Sequence, residues 1–143
     1  MTSSLNASHA DVESACSRLI IDFANGIDLK DYPAVLQLFT QDATLDRAGL
    51  VMRGIDEIRN FLENRPAHVL TRHLCANIRV RPRSDDEAEG ACYLQFFQFS
   101  NEESQALPVR ASAPAVAEYF AGFVREHSNW RIRDLRIRPV FQG

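Results

Sequence analysis

The spacing of apolar residues changes period about halfway along the chain. From about residue 9 to residue 26, Val12, Ala15, Cys16, Leu19, Ile20, Phe23 and Ala24 recur at helical steps and mark one stripe of an amphipathic helix. Asn25-Gly26 reads as its stop signal. A second helix is predicted from near Asp31, a capping residue, with Pro33 in its first turn and Val35, Leu36, Leu38 and Phe39 aboard. A short strand around 43–46, a turn at Arg47-Ala48-Gly49 and an extended piece from Leu50 to Arg53 follow. Residues 54–63 predict a third helix, with Ile55, Ile58, Phe61 and Leu62 on one side and Pro66 beyond its end.

Past residue 70 the period becomes two. In "LTRHLCANIRVRP", residues 70–82, Leu74, Ala76, Ile78 and Val80 fall on one face, and Thr71, His73, Cys75, Asn77 and Arg79 on the other. Further strands are predicted at 88–99, at 115–126 with a bulge or bend at Gly122, and at 129–140 after a tight "HSN" turn. Three helices followed by a meander of four long antiparallel strands predict an α+β fold, the helices packed on one face of the sheet. A sheet that curls around helices leaves a pocket at its open end.

Composition narrows the function classes. The 143 residues suffice for a single domain, expected over 9–143 behind a loose polar segment at 1–8. A formal net charge of −3 gives no pull toward nucleic acid or an anionic membrane surface, and neither partner is expected. Arg131, Arg133, Arg136 and Arg138 form a basic stripe, best read as a solvated strand with cross-strand ion pairs. Cys16, Cys75 and Cys92 are far apart, odd in number and set among apolar neighbours, which points to reduced thiols in a cytoplasmic protein. No zinc-type His/Cys cluster, glycine-rich phosphate loop or nucleophile elbow is present, so no metal and no cofactor is expected.

His73 is the leading candidate for chemistry, because an imidazole can both take and give a proton near neutrality. The competing reading is a core histidine satisfied by backbone. Asp28 is either a carboxylate that orients His73 or a cap in the loop before the second helix. Asp46, Arg47 and Asn77 are candidates for a second base or for orienting a substrate. For Asp46 an ion pair with Arg47 or Arg72 is the favoured alternative, and Arg47 suits an anionic substrate group. Phe23, Cys75, Tyr93, Phe97, Tyr119 and Trp130 are expected to line the pocket, with ordinary core packing as the alternative. Glu118, inside "AVAEYFAGF", must be paired, protonated or exposed, and an outward pairing with an arginine is favoured.

The element order, together with "GIDLKDYPAVLQLFTQDATLD" at 26–46, "RGIDEIRNFL" at 53–62, "TRHLCAN" at 71–77 and "NWRIRDLRI" at 129–137, resembles the SnoaL-like branch of the nuclear-transport-factor-2-like superfamily. That resemblance implies a cone-shaped, curved antiparallel sheet closed by three N-terminal helices. Scytalone dehydratase and bile-acid 7α-dehydratase place an Asp after the first helix and a His early in the first long strand, matching Asp28 and His73. The resemblance therefore implies a hydrogen-bonded pair inside the cone, with Leu74, Ile78 and Val80 on the outside of the sheet and a homodimer through that outer face. The family's tyrosine donor on the first helix falls on Phe23, which has no hydroxyl. A second strand histidine of scytalone dehydratase falls near Gln98, and the ketosteroid isomerase base falls at or beside Asp46-Arg47. The expected function is a cofactor-independent lyase or isomerase acting on a small hydrophobic, cyclic carbonyl or hydroxyl compound. The alternatives are a non-catalytic binding or assembly module, or an accessory subunit like the structural β chains of ring-hydroxylating dioxygenases.

Overall fold

The computed structural model describes the backbone from Thr2 to Gly143 and the side chains from His9 onward. The loose segment expected at 1–8 lies outside the fully described residues. Helix α1 spans Thr2–Leu29 and helix α2 spans Tyr32–Leu36. Strands β1 (Phe39–Arg47) and β2 (Leu50–Arg53) follow, then helix α3 (Ile55–Glu63). The long strands are β3 (Val69–Pro82), β4 (Glu87–Ser100), β5 (Ala115–Glu126) and β6 (Asn129–Phe141). They form one curved, unclosed six-stranded sheet in the order β2-β1-β6-β5-β4-β3. All neighbours are antiparallel except β1 and β6, which run parallel with Leu45 beside Leu135. That parallel pair comes from tertiary packing, and no local pattern announced it.

The first helix does not stop at Gly26. It runs on to Leu29 and closes with Lys30 in the left-handed region at φ 58°. The Lys30 amide donates to the Ile27 carbonyl at 3.2 Å and the Asp31 amide to the Gly26 carbonyl at 2.9 Å, the double bond of a Schellman cap. Gly26 serves packing instead: a Cβ there would lie 2.4 Å from Cγ2 of the buried Val35. Asp31 caps α2 as expected, accepting from the Ala34 amide. That helix is shorter than predicted, and Phe39 already belongs to β1.

Strand β3 departs from the expected alternation. The pairing with β4 shifts between Ala76 and Arg79, so Asn77 and Ile78 together oppose Cys92. Asn77 sits at φ 52°, a conformation that Asn tolerates better than most residues. This β-bulge reverses the alternation beyond it. Leu74 stays on the outer face at 55 % exposure, but Ile78 and Val80 turn inward and pack on the core. Asn77 is exposed and leaves the His73 face. A second register shift lies at Gly122, where a Cβ would clash with the Asp134 carboxylate.

The core lies between α1, α3 and the concave sheet face. It unites Cys16, Ile20 and Phe23 with Ile58 and Leu62, and with Leu94, Tyr119, Phe123, Ile132 and Leu135. Burying each large apolar side chain contributes about 1.5–3 kcal/mol, and this shared layer fixes the angle at which α1 crosses β3. The outer face carries the arginine stripe. Glu118 bonds Arg138 at 2.7 Å across the strands, Arg133 lies 3.7 Å from Glu87, and the guanidinium groups of Arg136 and Arg138 cover the Phe120 ring.

Candidate functional site

The last turn of α1 leans on the start of β3, and this contact delivers Asp28 to His73. Because α1 continues past Gly26, Asp28 is a helical residue pointing at the sheet; its expected place in a loop is corrected. The Asp28 Oδ1 lies 2.6 Å from His73 Nδ1 and accepts from the Thr71 hydroxyl at 2.9 Å. Its Oδ2 accepts from the His73 backbone amide at 2.8 Å. One carboxylate thus holds ring, backbone and neighbouring hydroxyl of the same strand. The side chains of His73 and Asp28 are only 13 % and 6 % exposed. Burial pushes the Asp28 carboxyl up, but the hydrogen bonds from the His73 ring and amide, the proximity of His73 and the Thr71 hydroxyl together outweigh it and hold the group below the ordinary carboxylate value. An ionised acceptor at Nδ1 fixes the proton there and leaves the Nε2 lone pair free. The imidazole also stacks on Phe96, with ring centroids 5.5 Å apart.

His73 looks into a cavity of about 100 Å³, walled by Phe23, Ile27, Leu45, Leu94, Phe96 and Ile137. Tyr119 and Thr71 add hydroxyls to the lining, and Gln98, Arg47 and Arg65 also border it. Tyr119 is 2 % exposed, its ring meets Phe23 edge-on at 5.8 Å, and burial pushes its phenol well above the ordinary value. It therefore remains a donor. Arg47 lies over the Phe61 ring at 5.8 Å; Arg65 lies over Tyr32 at the same distance and donates to the Tyr32 hydroxyl at 2.8 Å. A vestibule of about 340 Å³ adjoins the cavity and shares Arg47, Phe61, Arg65 and Gln98 with it.

Of the residues singled out in the sequence, His73, Phe23, Tyr119, Arg47 and Gln98 line this cavity, and Asp28 reaches it only through the His73 ring. Others do not. Asp46 makes a turn, its Oδ1 accepting from the Gly49 amide at 2.9 Å, and no ion pair with Arg47 or Arg72 forms. Tyr93 is 45 % exposed on the outer face, since it alternates with the inward Cys92 and Leu94. Phe97 shares that outward parity and borders an outer groove with Leu70, Phe99 and Leu107. Trp130 packs on the core away from the cavity, at the far end of β6. Cys75 packs against the core, outside the cavity lining. Asn77 is removed by the bulge.

Sequence reasoning missed Thr71, Phe96 and Arg65. Thr71 was within reach, being two residues before His73 on the same strand face. Phe96 faces His73 through the β3–β4 register, and Arg65 follows α3 with no local signal. Among the described residues, no group of three His, Cys, Asp or Glu side chains could hold a metal ion, and no helix is long and apolar enough to cross a membrane.

Comparisons with known proteins fit this architecture. Residues 8–136 match the family model of the SnoaL-like domain. No curated protein matches the chain. Among solved structures, the hexachlorocyclohexane dehydrochlorinase LinA-type3 from Novosphingobium barchaimii is similar at 19% identity and a TM-score of 0.81, covering 96% of this chain and 92% of that one. A protein assigned as a scytalone dehydratase from Novosphingobium aromaticivorans shares 19% identity at a TM-score of 0.77, covering 99% and 89%. An NTF2-like protein with a cystatin-like fold from Novosphingobium aromaticivorans gives 16% identity and 0.79, covering 99% and 89%. At such identities the likeness speaks for the fold alone.

Proposed function

The chain belongs to the SnoaL-like domain family, and from that premise we propose that it is a cofactor-independent proton-transfer catalyst, a lyase or isomerase for small apolar carbonyl or hydroxyl compounds. The carrying observation is the buried Asp28–His73 pair, whose free Nε2 borders a largely apolar cavity. His73 takes a proton from the carbon next to a carbonyl. Asp28 holds Nδ1–H and balances the imidazolium charge that develops. In the dehydrating direction the proton returns to the leaving hydroxyl, which departs as water. The dehydratase and the dehydrochlorinase similar in fold are named for eliminations of this type. Tyr119 supplies the hydroxyl that Phe23 lacks, because it lies against Phe23 on the same cavity wall and stays protonated. Exposed Leu74, Tyr93, Val140 and Phe141 support a second copy of the chain covering part of the outer face, which sedimentation measures directly.

The test needs no known substrate. A panel of small cyclic ketones is incubated with the protein in D₂O, and deuterium uptake beside the carbonyl is followed by NMR. Uptake by the wild type that disappears in His73→Ala, with folding intact, is the expected result. Absence of uptake across the panel favours a binding module or an accessory subunit.

A further inference from the structure

The cavity holds two cations that nothing on its walls neutralises. Arg47 and Arg65 border both the inner cavity and the vestibule, and among the described residues no Asp or Glu lines either space. On the outer sheet face and its loops Arg81, Arg125, Arg133 and Arg138 each meet a carboxylate, while Arg136 lies over the Phe120 ring instead. Arg65 spends its donors on neutral acceptors, the Tyr32 hydroxyl and the Ile27 carbonyl, so its charge stays uncompensated. Aromatic rings beneath both guanidinium groups hold them in place: Arg47 over Phe61 and Arg65 over Tyr32. Gln98 adds an amide donor shared by the two spaces. A pair of guanidinium groups with no acid beside them favours a negative group at the mouth, and because Arg47 is exposed that attraction is screened by salt.

We infer that the ligand of this cavity is a small apolar acid, its ring or chain packed against Phe23 and Phe96 beneath His73 and its carboxylate held at the mouth by Arg47 and Arg65. The inference names the substrate class for the proton-transfer reading and rests on that reading only for the choice of cavity. The inner volume of about 100 Å³ suits one small ring, and the vestibule accommodates the charged group with its remaining water.

The test is a pair of probes of nearly equal shape, cyclohexanecarboxylate and cyclohexanecarboxamide, titrated into the protein at neutral pH and followed by NMR. The carboxylate is expected to bind about tenfold more tightly or better. Arg47→Gln, an exposed position, should bring the two affinities within about threefold and leave the carboxamide unchanged. Added salt should narrow the preference in the wild type. His73→Ala, which abolishes proton transfer in the proposed function, should keep the preference, so a failure of the chemistry is separable from a failure of the anion site. Equal affinities in the wild type, no binding of either probe, or a preference that survives both Arg47→Gln and Arg65→Gln would overturn the inference.

Discussion

Two hollows open on opposite faces of the same sheet, and they differ in where their acids lie. The outer one is much larger, about 760 Å³, and is bordered by Arg79, Arg81, Arg133, Arg136, Glu87, Glu89 and Asp134. Its acids are answered: Glu89 meets Arg81 at 2.5 Å, Glu87 meets Arg133 at 3.7 Å, and Asp134 meets the same arginine at 3.4 Å. The inner cavity is far smaller, yet it is lined by His73, whose ring is held by the buried Asp28, and by two arginines with no acid on the same walls among the described residues. Volume therefore misleads here. Exposed ion pairs on an outer sheet contribute little and are screened by salt, whereas a buried pair sits where its charge state matters. The outer hollow answers each of its acids with an arginine, whereas among the described residues no acid lines the inner one to answer Arg47 and Arg65.

The strongest way to break this contrast is to mutate one residue on each side. His73→Ala should lower deuterium exchange or turnover by about 10²–10⁴-fold, while Glu89→Gln leaves it within error. Equal effects would erase the distinction. Tyr119→Phe is next: a lost donor to a developing oxyanion costs about 10²–10³ in rate, with KM little changed. An unchanged rate would move the donor role to Arg47.

Stability sharpens the comparison further. Asp28→Asn should cost about 2 kcal/mol in urea unfolding at neutral pH, because it weakens three buried hydrogen bonds to one carboxylate. The pH dependence follows from the lowered Asp28 value. Its stabilisation is present above the unfolded carboxylate value and is lost as pH falls through the lower folded value. The wild type should therefore lose this increment on acidification, and the Asn variant should show a flatter acid limb. Glu118→Gln, which removes the outer partner of Arg138, should cost less than about 1 kcal/mol and leave activity unchanged.

The inner site was partly legible before any coordinates. Strand alternation put His73 and Thr71 on one face, and the resemblance paired His73 with Asp28. The same alternation failed past Ala76, since a single extra residue reverses every later side chain and a polar Asn does not advertise it. It also does not decide which face of β4 looks inward, so it predicts Tyr93 and Phe97, and not Phe96, in the pocket. The expected stop at Asn25-Gly26 failed for another reason: Gly26 answers to Val35, a contact made only once α2 folds back.

The sequence by itself determined the elements, their order and the outward destination of its charged stripes, because periodicity and turn chemistry act between near neighbours. Tertiary structure alone decided the parallel seating of β1 beside β6, the bulge at Asn77, and the meeting of Arg47 with Arg65 at a mouth where no acid lies among the described residues. Those features depend on which distant strands share hydrogen bonds and on how deeply α1 settles into the curved sheet. Register and depth are set by the packing of the whole core, which no local stretch encodes.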